Sequence, residues 1–94
     1  MEAVSQLTQF YSEAVGDERI GASHVCLYMA LFQLWNLNGF KNPVVFKRAQ
    51  LMKLAKINGR ATYHKCMRQL QEYGYIQYIP SWDSGNGSKV YFES

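Results

Sequence analysis

Ninety-four residues are enough for one hydrophobic core and too few for two. With 48% hydrophobic, 15% aromatic and 18% charged residues, the composition is globular and not that of a disordered chain. The net charge of +3 is unevenly placed: residues 1–40 carry Glu2, Glu13, Asp17 and Glu18 against Arg19 alone, a balance of −3, whereas residues 41–94 carry nine Lys or Arg against Glu72, Asp83 and Glu93, a balance of +6. The C-terminal half is therefore the one suited to a polyanion.

Val4, Leu7, Phe10, Tyr11, Ala14 and Val15 recur at three- and four-residue steps, which predicts an amphipathic helix over residues 2–15, closed by Gly16-Asp17. Its other face (Glu2, Gln6, Gln9, Glu13) is polar or acidic, so this helix should cover the core. A second helix is expected from an N-cap at Ser23 to about Leu37, with Asn38-Gly39 as the stop. It is apolar nearly all round, which means burial on several sides. Two arrangements satisfy that: the helix is central in the monomer, or part of it joins the first helix in a homodimer interface.

Asn42-Pro43 is a turn, and Val44-Val45-Phe46 has the composition of a short strand. Residues 47–56 predict a helix with Ala49, Leu51, Met52, Leu54 and Ala55 inward, and Ile57-Asn58-Gly59 a turn. The next helix is the most informative segment. Tyr63, Cys66, Met67, Leu70 and Tyr73 gather on an arc of about 120°, while Arg60, Ala61, His64, Lys65, Arg68 and Gln69 fill the opposite arc. Gly74 ends it, Tyr75–Ile79 reads as a strand, residues 80–88 as a Gly-rich loop and residues 89–92 as a second strand. The expected fold is mainly α with a small β-hairpin (α+β), a winged helix-turn-helix forming one domain over 1–94. Residues 1–40 would be its helical core and dimerisation part, and residues 44–92 the motif and wing.

A helix with an apolar seam opposite a small, basic, hydrogen-bonding face suits the DNA major groove. Arg60 can pair with guanine or phosphate, Ala61 permits close approach, and Thr62 offers a neutral phosphate contact. His64 follows one turn later and Arg68 two turns later, with Lys65 and Gln69 flanking. Lys47, Arg48, Lys53 and Lys56 on the preceding helix suit phosphate positioning. The wing is poor in cations: Trp82, Asp83, Ser84 and Asn86 precede Lys89, so its expected contributions are Asn86, the Gly-rich backbone and Lys89.

Other chemistries find little support. His24-x-Cys26 and His64-x-Cys66 contain zinc-ligating residue types, but residues two apart on a helix point about 200° apart, so no metal is expected. No Gly-rich phosphate loop, nucleophile elbow or HExxH is present, Tyr63 falls on the core arc, and an enzyme, a cofactor and a small-molecule ligand are all unexpected. Cys26 and Cys66 are expected to be buried free thiols. With no secretion signal and no run of about 18 apolar residues, the chain is expected to be cytoplasmic and free of the membrane.

Over residues 44–92, and most closely from Asn58 to Ile76, the sequence resembles the winged helix-turn-helix superfamily of bacterial regulators. Arg60, Thr62, Tyr63, Met67, Leu70, Glu72 and Gly74 carry the likeness. ALFQLWN at 30–36, KNP at 41–43, ATYHKC at 61–66 and YGYIQYIPS at 73–81 make it similar to small winged-helix proteins of bacterial conjugative and mobilisable elements. The resemblance implies a double-stranded DNA-binding regulator of transcription or an accessory factor of such an element. The alternative is a winged domain used as a protein–protein module in a replication or DNA-transfer complex, which the cation-poor wing and the aromatic surface would suit.

Overall fold

The computed structural model of the chain describes residues 2–81 and 87–92, with side chains from Val4 onward. The tip residues Trp82, Asp83, Ser84 and Asn86 lie outside the described residues. In chain order the elements are α1 (Glu2–Val15), α2 (Ala22–Leu37), β1 (Val44–Phe46), α3 (Arg48–Ala55), α4 (Arg60–Glu72), β2 (Gln77–Ile79) and β3 (Ser88–Tyr91). Among the described residues this is an α+β domain with four helices and one three-stranded antiparallel sheet.

The central element is α2. Leu27, Tyr28, Ala30, Leu31 and Trp35 are buried, and Val25, Phe32 and Leu34 are half-buried. Each fully buried large apolar side chain contributes about 1.5–3 kcal/mol. Phe10 of α1 stacks on Tyr28 at 3.7 Å between ring centres, and Trp35 stacks on Phe92 at 4.7 Å. With α3, α4 and β1 also packed on it, the apolar girdle of α2 is covered within the chain. Cys26 is the exception to the expected burial. It shares an exposed stripe with Ala22, Gln33 and Leu37, positions that fall within about 60° at helical spacing. Cys66 is buried, which pushes its thiol pKa up.

Helix α2 begins earlier than its sequence suggests, because Gly21 and not Ser23 is the N-cap. The reason is His24, whose Nδ1 accepts the Gly21 N–H at 3.0 Å. With Nδ1 accepting, Nε2 carries the proton and donates to Gln69 Oε1 at 2.8 Å. One buried imidazole thus starts α2 and ties it to α4.

The third helix also departs from expectation. It buries only Leu51 and Ala55, with Met52 half-buried, and leaves Ala49 and Leu54 exposed. The five apolar positions span an arc of about 220°, more than a helix of eight residues can turn toward one core. It ends with Lys56 in the left-handed region at φ 61°, where the Ile57 N–H reaches back to Met52 O at 3.0 Å. The four-residue connection 56–59 leads directly into α4.

The sheet order is β1-β3-β2. Val44, Val90 and Tyr78 align in one row and Val45, Lys89 and Ile79 in the next. Strand alternation turns the first row toward the core and the second outward. Strand β2 starts at Gln77, two residues later than the composition suggests. Gly74 at φ 86° and the bond from Tyr75 N–H to Leu70 O at 2.9 Å first carry the chain off α4. The Asn42 side chain stands in for one more strand residue, accepting the Phe92 N–H at 3.0 Å and donating to Phe92 O at 2.7 Å. At Gly87 (φ 74°) the backbone passes so close to β1 that a Cβ would lie 3.0 Å from Phe46 O.

The α1–α2 connection is fastened by Asp17. Its carboxylate accepts two bonds from the Arg19 guanidinium, at 2.8 and 2.9 Å, and one from the Tyr75 hydroxyl at 2.9 Å, while Arg19 lies 4.0 Å above the Tyr73 ring. The hydrogen bonds from Arg19 hold the Asp17 carboxyl well below its ordinary 3.8. Burial first, and then the bond to Asp17, push Tyr75 up to about 12. A lowered carboxyl pKa means the folded state binds the proton more weakly than the unfolded chain. The Asp17 contribution is thus complete above the ordinary value and is lost as pH falls below it. Tyr75 acts in the opposite sense, its contribution being lost as pH rises past the ordinary 10.0. Thermal melts across the acid range are expected to show a falling midpoint that flattens in Asp17→Asn. Parallel curves for the two proteins would refute the assignment.

Candidate nucleic-acid interface

Helix α4 divides cleanly into two faces. Tyr63, Cys66, Met67 and Leu70 are buried, and Arg60, Ala61, Thr62, His64, Lys65 and Arg68 are exposed. Steps of four residues place Arg60, His64 and Arg68 on one stripe, with Ala61 and Lys65 on the next. Among the described residues Arg60, His64 and Lys65 form no ion pair. Arg68 has one, its Nε lying 3.7 Å from Glu72 Oε1 with both side chains exposed. So exposed and long a pair is worth about 0–1 kcal/mol, which leaves Arg68 free to exchange partners. The His64 ring is braced edge-on by Tyr63 at 5.1 Å.

Gln69 leaves the expected set. It is half-buried, and its Oε1 is taken by His24 across the α2–α4 contact. The sequence shows Gln69 at the margin of the polar arc, while the donor it meets is 45 positions away. Gln71 plays the matching role toward the hairpin, its Oε1 accepting the Tyr78 N–H at 2.6 Å. Two glutamines, two residues apart, therefore fix α4 between α2 and β2.

Lys47, Arg48, Lys53 and Lys56 are all exposed at or along α3. Arg48, the first residue of that helix, is brought to α4: with His64, Arg68, Tyr63, Gln71 and Tyr78 it lines a groove of about 370 Å³ between α4 and the hairpin. Lys89 is exposed on the outer sheet face, beside Val45 and Ile79, and does not line that groove. Asn86 lies outside the described residues. Tyr78 and Ser88 were not legible as site residues from composition. The signal for them is strand alternation, which sets Tyr78 on the same row as Val44 and Val90.

Tyr63 is 1% exposed and its hydroxyl has no hydrogen-bond partner among the described residues. Burial, with the Tyr78 phenol close by, pushes its pKa well above the usual tyrosine range and keeps it protonated. The described residues hold no group of three or more His, Cys, Asp or Glu placed to bind a metal ion. His24 has both ring nitrogens engaged, by Gly21 and Gln69. Among the described residues no helix is long and apolar enough to cross a membrane.

No protein-family model, curated protein or solved structure matches the chain.

Proposed function

We propose that this chain is a winged helix-turn-helix protein that binds double-stranded DNA, with α3 and α4 as the motif and β1, β2 and β3 as the wing sheet. The observation that carries the reading is the division of α4. Its core face is spent on the fold, and its open face offers Arg60, Ala61, Thr62, His64, Lys65 and Arg68 with a carboxylate only at the far end, Glu72. In this reading Arg60 and His64 meet base edges, Arg68 and Lys65 reach phosphates, and the cations of α3 hold the flanking backbone. The resemblance of residues 44–92 to bacterial regulators favours a role in transcription control or as an accessory factor of a mobile element.

The testing experiment is an electrophoretic mobility shift with randomised duplexes over a salt series. Binding should weaken with salt at a log–log slope of about −0.9 per phosphate contact. Absence of binding to any duplex at low salt would overturn the reading. Lys56 supplies a sharper case. Lys56→Gly should stabilise the fold by about 0.5–1 kcal/mol, since glycine accepts a positive φ without strain. It should also reduce the salt slope by about one unit if Lys56 holds a phosphate. Urea melts and the mobility shift read the two effects separately.

A homodimer through the N-terminal helices belongs to the same proposal, now centred on α1. Helix α2 is covered except for its stripe of Cys26 and Leu37, and the outer face of α1 adds further exposed apolar surface. There Val4, Tyr11 and Val15 are exposed beside a shallow depression formed with Leu7, Thr8 and Ser12. A twofold dimer of this kind would read a palindromic site.

A further inference from the structure

We infer that the groove between α4 and the hairpin is a seat for a phosphate ester. Its lining brings together Arg48 from the start of α3, His64 and Arg68 from α4, and Tyr78 from β2, and it includes no carboxylate. Among the described residues the ion pair of these side chains is the one from Arg68 to Glu72 at 3.7 Å, and Glu72 stands outside the lining. Positive charge from two separate elements therefore converges on a concave surface with no carboxylate in its described lining, the electrostatic condition for holding an anion. Arginine forks match the oxygens of a phosphate in pairs, which a carbonyl or neutral hydroxyl could not use as well.

The shape narrows the ligand further. About 370 Å³ is more room than one oxyanion fills and lies in the range of small-molecule sites. The lining also includes the Tyr78 and Pro80 rings, suited to the ring or sugar that an ester carries, and the polar Gln71, Ser81 and Ser88. Tyr63 closes the floor of the groove beneath Tyr78, with its hydroxyl buried. The Ser88 hydroxyl already accepts the Ser81 N–H at 3.3 Å and the Gln71 oxygen is held by Tyr78, so both edges of the groove are fixed before any ligand arrives.

Two sources share this chemistry: a backbone phosphodiester of a duplex lying on α4, which rests on the DNA reading above, and a free ester, which does not. The two separate in one experiment. The full chain, isotopically labelled, is titrated with phenyl phosphate and, in a second arm, with a short mixed-sequence duplex, while the amide signals of Tyr78 and Ser88 are followed. Arg48→Ala is carried in parallel, because Arg48 is exposed and lies outside α4. Shifts with phenyl phosphate, weakened about tenfold or more in Arg48→Ala, identify a free-ester site even if no duplex binds. Shifts at Tyr78 and Ser88 with duplex alone, lost in Arg48→Ala, identify the backbone as occupant. If both signals stay still in both arms, or move equally in the variant, the groove holds no phosphate ester. A duplex that shifts Arg60 and Lys65 but not Tyr78 and Ser88 likewise overturns the seat while leaving the DNA reading standing.

Discussion

Replacing Arg60, His64 and Arg68 together by alanine is expected to lower affinity for duplex DNA by about two to three orders of magnitude. The estimate takes about 1–1.5 kcal/mol for each lost contact, base or phosphate, at low salt. The three side chains stand on one exposed stripe of α4 and none belongs to the core. The fold should therefore survive, and the circular dichroism spectrum and melting midpoint are the control. The salt slope should become shallower by about one unit for each phosphate contact removed. Fluorescence anisotropy with a selected binding site would measure both quantities. Undiminished affinity in the triple variant would transfer the function from α4 to another surface.

Trp35→Ala should produce the largest loss of stability, about 3–5 kcal/mol, which is a large share of the roughly 5–15 kcal/mol that holds a domain together. Trp35 is 4% exposed, stacks on Phe92 and meets Phe40 edge-on at 5.1 Å, so it ties the end of α2 to the last described residue. Trp35→Phe should cost far less, less than about 1.5 kcal/mol, because a ring remains against Phe92. It also deletes an indole N–H that is buried without an acceptor among the described residues. Urea denaturation of the two variants decides the matter, and equal losses would show that the indole edge and not the ring stack is what matters.

Local pattern made much of this architecture legible. The seam of Tyr63, Cys66, Met67 and Leu70 and the stops at Gly39 and Gly74 are periodic or chiral signals contained within a few residues, and the structure has them where they were expected. Contacts between distant segments were not legible. His24 looks like an ordinary helical residue until Gln69 is brought beside it, and only then does the start of α2 move to Gly21. Hydrophobicity alone turns Ala49 and Leu54 inward, but a helix of eight residues buries a narrower arc than its apolar positions span. The exposure of Cys26 has a related cause: a helix apolar nearly all round gives little indication of which stripe faces out. The groove beside α4 depends on the β1-β3-β2 order, which pairs residues 44–46 with residues 88–90 across most of the motif.

The division of α4 has a practical consequence. Positions 60, 61, 64, 65 and 68 are exposed, with His64 alone seen to rest edge-on against a core ring, whereas Gln69 and Gln71 anchor the helix on either side. The outer stripe can therefore be randomised as a library while the scaffold beneath keeps its pose, with 69 and 71 left untouched. Selection from such a library would give the helix a chosen binding preference without a redesign of the domain, making this small chain a candidate chassis for programmable binding.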